Sequence, residues 1–200
     1  MMRTSTLAGS TLGTILAALV YLAATGLSTP AAADSVDIST ITCEDLIKIS
    51  DAGNDKDQYG MGAILYWIAG YSGTDEQGTV IDFDSLRTDF DKIVAGCKEQ
   101  PKVGVLTVSA KYLGENATPQ GSGAMDLATI TCEAVLKSDK KDEEGMGLIL
   151  MWIAGYHAGT DSDNVFDSDD FTKSMTEIGE KCGENPKLGL MTVSDEVMGE

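Results

Sequence analysis

The residue types that catalyse are scarce in this 200-residue chain and are not arranged to do so. Its single histidine, His157, could serve as a general base, yet the equivalent position upstream is Ser72, so such chemistry would live in one copy of a duplicated unit. No Gly-x-Ser-x-Gly, phosphate loop or histidine-rich metal pattern accompanies it. Two acidic stretches, Asp55-x-Asp57 before Gly60 and Asp161-x-Asp163, invite a calcium reading. Both depart from the EF-hand template: Tyr59 or Val165 stands at the fifth position, and Tyr66 or Thr172 stands at the twelfth in place of glutamate. The sequence therefore reads as that of a non-enzyme, with no cofactor and no resident metal.

Covalent chemistry rests instead with Cys43, Cys97, Cys132 and Cys182, none of them in a Cys-x-x-Cys pair. Their compartment follows from residues 1–33, which read as a secretory signal peptide: Arg3 at the start, an apolar run over 12–27, and Ala31-Ala32-Ala33 before Asp34. That run is shorter than the roughly 20 residues a membrane span needs. Export makes disulfides the default for an even cysteine count. Four cysteines allow three pairings, and a duplicated unit favours the one that closes each copy on itself, Cys43 with Cys97 and Cys132 with Cys182. Each closed loop of around fifty residues stabilises by roughly 4 kcal/mol in the chain-entropy picture. That is a large share for repeats of about 75 to 80 residues, which have little core of their own.

Losing the leader removes Arg3 and no acid, so 14 basic residues become 13 against 32 acidic ones, and the net charge moves from −18 to −19. Such a surface repels nucleic acid and anionic membranes. Acidification rewrites it: with carboxylate reference values near ~4, the net charge crosses zero around there and turns strongly positive by pH ~2.

The elements that must position these residues come in two copies. Gly60-Met61-Gly62-Ala63-Ile64-Leu65-Tyr66-Trp67-Ile68-Ala69-Gly70-Tyr71 returns as Gly145-Met146-Gly147-Leu148-Ile149-Leu150-Met151-Trp152-Ile153-Ala154-Gly155-Tyr156 and includes both tryptophans. Ile64, Trp67, Ile68 and Tyr71 fall on one helical face, and Ile149, Trp152, Ile153 and Tyr156 repeat it. Leu65, Leu150 and Met151 spread apolar character to other faces, which predicts a helix buried on most sides. The recurring glycines weaken a helix by up to ~1 kcal/mol each. Their repetition points to close backbone approach or to deliberate looseness, two readings that stay open at this level.

Around this segment, residues 34–40 read as a short flexible lead-in. Thr42 caps a helix from Cys43, with Asp45 completing an acidic variant of the capping box, and Thr131 caps its counterpart without that acid. Residues 51–58 and 138–144 read as polar, turn-rich loops, and the cysteine-to-Gly-Met-Gly spacing falls from 17 to 13 between copies. Asp82 and Asp167 cap a third helix whose core stripe is Leu86, Phe90, Ile93 and Cys97, matched by Phe171, Met175, Ile178 and Cys182. Pro101 and Pro186 are placed to open a fourth helix over 103–113 and 188–198. Residues 114–125, with Pro119, Gly121, Ser122 and Gly123, read as a flexible linker, and Asn116-Ala117-Thr118 fits a glycosylation sequon.

Each copy thus has Thr-Cys-Glu opening a helix (42–44, 131–133), Trp-Ile-Ala-Gly-Tyr (67–71, 152–156) and a cysteine-proline run (97–105, 182–190). In order and spacing this resembles the HdeA/HdeB family of periplasmic acid-stress chaperones, over residues 41–113 and again over 130–198. The resemblance implies an all-α fold of two tandem domains, each of about four helices with one internal disulfide. The boundaries would be a signal peptide over 1–33, a first repeat over 34–113, the linker over 114–125 and a second repeat over 126–200. It also implies a protein that is closed near neutral pH and loosens in acid, exposing apolar surface that keeps acid-unfolded periplasmic client proteins from aggregating. The segments around Trp67 and Trp152 match the family's buried interface and client-binding region. The expected partners are such clients, with the two repeats forming an internal pseudo-dimer or the chain a homo-oligomer, and with no nucleic acid or membrane. A constitutive periplasmic binding or structural module of the same fold, lacking a pH switch, is the alternative reading.

Overall fold

The computed structural model describes residues 35–51, 55–73, 78–113, 123–138 and 143–199. Residues 1–33, read as a signal peptide, and the sequon lie outside them, as does most of the segment read as a linker. Among the described residues the first half holds α1 (Cys43–Asp51), α2 (Asp55–Ser72), α3 (Phe83–Glu99) and α4 (Val105–Ser109). The second half repeats them as α5 (Cys132–Lys137), α6 (Glu143–Asp161), α7 (Ser168–Glu184) and α8 (Leu190–Met198). The described residues also include four three-residue strands, β1 (Ser35–Asp37), β2 (Val80–Asp82), β3 (Ala124–Asp126) and β4 (Val165–Asp167). The disulfides Cys43–Cys97 and Cys132–Cys182 tie the first helix of each half to its third.

Local chemistry sets the helix starts. The Thr42 hydroxyl accepts from the Asp45 amide at 3.3 Å, and the Asp45 carboxylate accepts from the Thr42 amide at 3.1 Å, closing the capping box reciprocally. Thr131 makes only the forward bond, to the Ala134 amide at 3.4 Å. Asp82 accepts from the amides of Asp84 and Ser85, and Asp167 from those of Asp169 and Asp170, so α3 and α7 begin where a carboxylate takes up their free N–H groups.

Three expectations fail for stated reasons. The prolines do not open the fourth helices. The Pro101 carbonyl accepts from the Glu44 amide and that of Val103 from the Cys43 amide, each at 2.8 Å, so this turn covers the otherwise unpaired start of α1. Pro186 and Leu188 do the same for α5. Gly104 and Gly189 stay extended to bridge Thr42 and Thr131, which delays α4 and α8 to Val105 and Leu190. The polar loop before Gly60 is shorter than read, because Asp55 to Gln58 already belong to α2, and Glu143 and Glu144 likewise begin α6.

Thirdly, the lead-in is structured and tied to the opposite half. β1 pairs antiparallel with β4, Val36 opposite Phe166, and β3 pairs with β2, Met125 opposite Ile81. Ala124 and Met125, read as the end of the linker, are therefore strand. The exchange continues past the ladders, where the Ile38 amide donates to Asn164 and the Leu127 amide to Thr79, at 2.8 and 2.7 Å. Ile38 and Leu127 each open a 3-10 turn and are buried in the core. Each half thus lends a strand to the other, in a reciprocal pattern with approximate twofold symmetry.

Candidate functional site: the seam between the two long helices

Between Gln58 and Ser72, α2 carries no charged residue, and between Gly145 and Gly159 the only titratable side chains of α6 are Tyr156 and His157. A helix apolar on all sides must be covered on all sides. Each long helix lies against the other on one flank and against its own half on the rest, so the core runs through both halves without a break. The helices run in the same direction. Tyr59 lies against Gly147, Gly62 against Leu148, and Gly70 against Trp152 and Tyr156.

The closest approach is at Gly70 and Gly155. A Cβ on Gly70 would overlap the Trp152 carbonyl oxygen and stand 2.8 Å from the Tyr156 amide nitrogen. A Cβ on Gly155 would overlap the Trp67 carbonyl oxygen in the same way. Of the two meanings left open for the repeated glycines, close backbone approach holds at this pair. Gly62 and Gly145 are looser: a Cβ on Gly62 would make ordinary contact with Leu148, and one on Gly145 would meet nothing within 4 Å.

All eight residues singled out by the helical pattern lie on the two helices that form this seam, and the two tryptophans sit at it: Trp152 against Gly70 and Trp67 against Gly155. Ile64, Trp67 and Ile68 are buried, as are Ile149, Trp152 and Ile153, with Trp67 only 1% and Trp152 only 4% exposed. Tyr71 stacks on Trp67 with ring centroids 5.2 Å apart, and Tyr156 on Trp152 at 5.7 Å; both tyrosines are half-buried and rim the seam. Leu65 and Met151 are buried with them. Near the helix starts, burial and the neighbouring Glu144 push the Tyr59 hydroxyl above its ordinary value of 10.0, so it stays neutral over the whole physiological range.

Sequence reasoning missed Ile38, Leu127 and the strands that carry them. A signal was available, since Asp37-Ile38-Ser39-Thr40-Ile41-Thr42 before Cys43 recurs as Asp126-Leu127-Ala128-Thr129-Ile130-Thr131 before Cys132. A repeat that extends upstream of the first helix marks structure there too.

The acidic stretches have local structural roles. Asp163 accepts from the Val165 amide at 2.9 Å, Asp161 ends α6, and Asp55 and Asp57 lie in the first turn of α2. Among the described residues no group of three or more His, Cys, Asp or Glu could hold a metal ion, and no helix is long and apolar enough to cross a membrane. His157 is buried on α6, with Nε2 3.3 Å from the Ser194 hydroxyl and 3.7 Å from an Asp195 carboxylate oxygen. A base–nucleophile–acid relay needs its carboxylate on the other ring nitrogen. Here both neighbours share one nitrogen, and Ser194 is fully buried.

The model of the HdeA/HdeB family matches the chain twice, over residues 13–107 and 103–192. No curated relative and no solved structure matches the chain. The chain belongs to the HdeA/HdeB family, as a tandem of two family units. Membership places it in general terms among periplasmic acid-stress chaperones, a class that is not enzymatic.

Proposed function

We propose that this chain is an exported chaperone that is closed near neutral pH and opens in acid, presenting the α2 and α6 faces to unfolding periplasmic proteins. The observation that carries the reading is the seam itself. The two long helices carry Ile, Trp and Tyr, apolar enough to bind an unfolded chain, and are covered by each other on one flank and by the rest of one continuous core on the others, with no separate covering domain among the described residues. Parting the helices uncovers the flank that each presents to the other.

The capping chemistry at the start of α1 supplies a reason for the fold to loosen in acid. The Asp45 carboxyl is held below its ordinary value of 3.8, first by the hydrogen bond from the Thr42 side chain and then by the Thr42 amide and Lys48. A group whose folded value is depressed stabilises the fold above its unfolded value, and this contribution disappears as pH falls through the folded value. The window is therefore below pH ~4, where the many surface carboxylates also neutralise and leave 13 Lys and Arg to repel one another.

Because both copies lie on one chain and exchange strands, opening is a change of shape within one molecule and not the separation of two. The test is to hold an acid-labile periplasmic protein at pH ~2.5 with and without the oxidised chain, and to follow light scattering alongside apolar-dye binding. Suppressed scattering together with dye binding supports the reading. Equal suppression at pH 7 would favour the constitutive module, and no suppression at either pH would overturn both.

A further inference from the structure

His157 is the one place where the second half carries a group that titrates between neutrality and the carboxylate range and the first half does not. Its first-half counterpart is Ser72. The residues it meets on α8, Ser194 and Asp195, correspond to Ser109 and Ala110. In the first half the buried Ser109 hydroxyl has no hydrogen-bond partner among the described residues. In the second, the Ser194 hydroxyl donates to the Met191 carbonyl at 2.9 Å and faces His157 Nε2 at 3.3 Å. With its only hydrogen used on Met191, Ser194 can only accept from the ring, so neutral His157 carries its hydrogen on Nε2. A proton taken up in acid then arrives on Nδ1 and charges a ring buried at the contact of α6 with α8.

The charged groups acting on that ring are Asp195 from α8 and Asp161 one turn along α6 itself, both on exposed parts of the surface. Tyr156 packs edge-on to the ring, with centroids 5.7 Å apart. From Gln58 to Ser72, α2 brings no carboxylate to the seam.

We infer that His157 is an acid-operated latch for α8: protonating its ring frees Leu190–Met198 from α6, so the second half loosens at a higher pH than the first. This rests on the acid-opening reading above and refines it by giving the two copies different thresholds. Burial holds the ring below its ordinary value of 6.5, with Asp195 and Asp161 opposing the shift. The depressed value means that the closed second half is favoured above about 6.5, and that this advantage is lost as pH falls through the folded value. The loss begins below the ordinary imidazole value of 6.5, whereas that set by Asp45 begins below 3.8.

The experiment is native-state hydrogen exchange on the full oxidised chain, corrected for intrinsic rates, at steps from pH 7 to about 4.5, where imidazoles titrate and few carboxylates do. Protection of 190–198 should fall roughly tenfold for each unit by which the ring's value is lowered, while protection of 105–109 holds. His157→Gln keeps a neutral donor toward Ser194 and should hold 190–198 closed until both halves open together. Loss of protection at the same pH in both segments of the natural chain, or an unchanged profile in H157Q, overturns the latch. Should H157Q lack protection already at pH 7, the ring resonances of His157 in the natural chain decide instead. Titration coincident with loss of protection in 190–198 upholds the latch, and titration at a different pH overturns it. No client is present in any of these measurements, so the latch and the chaperone reading stand or fall separately.

Discussion

Gly70 and Trp152 meet where the two long helices come closest: the space a side chain on Gly70 would need is already filled by the Trp152 carbonyl oxygen, and Gly155 stands in the same relation to Trp67. The obstacle in each case is backbone, which cannot rotate aside as a side chain can. The seam therefore exists because two small residues recur at the same place in a duplicated helix.

Gly70→Ala and Gly155→Ala should each force α2 and α6 apart and lower stability by the upper end of the roughly 1–3 kcal/mol that overpacking costs, or by more. Gly179→Ala, exposed in the middle of α7 with nothing within 4 Å of its Cβ, should raise stability by about 0.5–1 kcal/mol through helix propensity. Urea unfolding at pH 7 measures all three, and equal effects would remove the close approach from the account.

Asp45→Asn removes the return arm of the capping box on α1. Because the carboxylate is half exposed, the loss at pH 7 should be no more than ~0.5–1 kcal/mol. The difference from the natural chain should vanish as pH falls through the folded value of Asp45, below 3.8, where its carboxyl is protonated anyway. Thermal melts at a series of pH values give the sign directly, and a deficit that grows in acid would contradict it.

Leu127 belongs to the second half but sits beside β2 of the first, its amide bound to Thr79. Leu127→Ala should cost about 2–5 kcal/mol, and it should shift unfolding reported by Trp67 alone and by Trp152 alone to the same degree. Single-tryptophan versions of the chain separate the two signals. A shift confined to Trp152 would mean that the halves fold independently.

Much of this was legible in the sequence for physical reasons that can be named. The apolar period of Ile64, Trp67, Ile68 and Tyr71 specifies a buried helix because four side chains on one face have no other place to go. Asp82 and Asp167 mark helix starts because a short carboxylate satisfies free amides there. The cysteine pairing followed from duplication. What local rules could not reach was the exchange of β1 and β3, since a three-residue strand has almost no periodicity and its partner lies far away in sequence. The misplaced prolines share that cause: Pro101 looks like a helix start, and only the docking of Cys43 and Glu44 onto its turn reveals a cap for a different helix. In the sequence His157 is a lone imidazole without its partner in view, because its burial against Ser194 depends on a contact 37 residues away.

Opening within one chain has a kinetic and thermodynamic signature. If the internal pair replaces a dimer, the pH midpoint of tryptophan emission should not move between about 0.1 and 100 μM protein, since no association term enters a unimolecular equilibrium. A midpoint that falls as concentration rises would show that a second copy stabilises the closed state.

The most direct test of the central claim, that the seam is the surface clients meet, is site-specific photocrosslinking. A photoreactive residue replaces Tyr71 or Tyr156 at the rim, with an exposed position on α7, Thr176, as the comparison. The account predicts crosslinks only within the chain at pH 7, and crosslinks to an acid-denatured client at pH ~2.5 from positions 71 and 156 but not from 176. Client crosslinks at neither rim position in acid, or from position 176 alone, would contradict it.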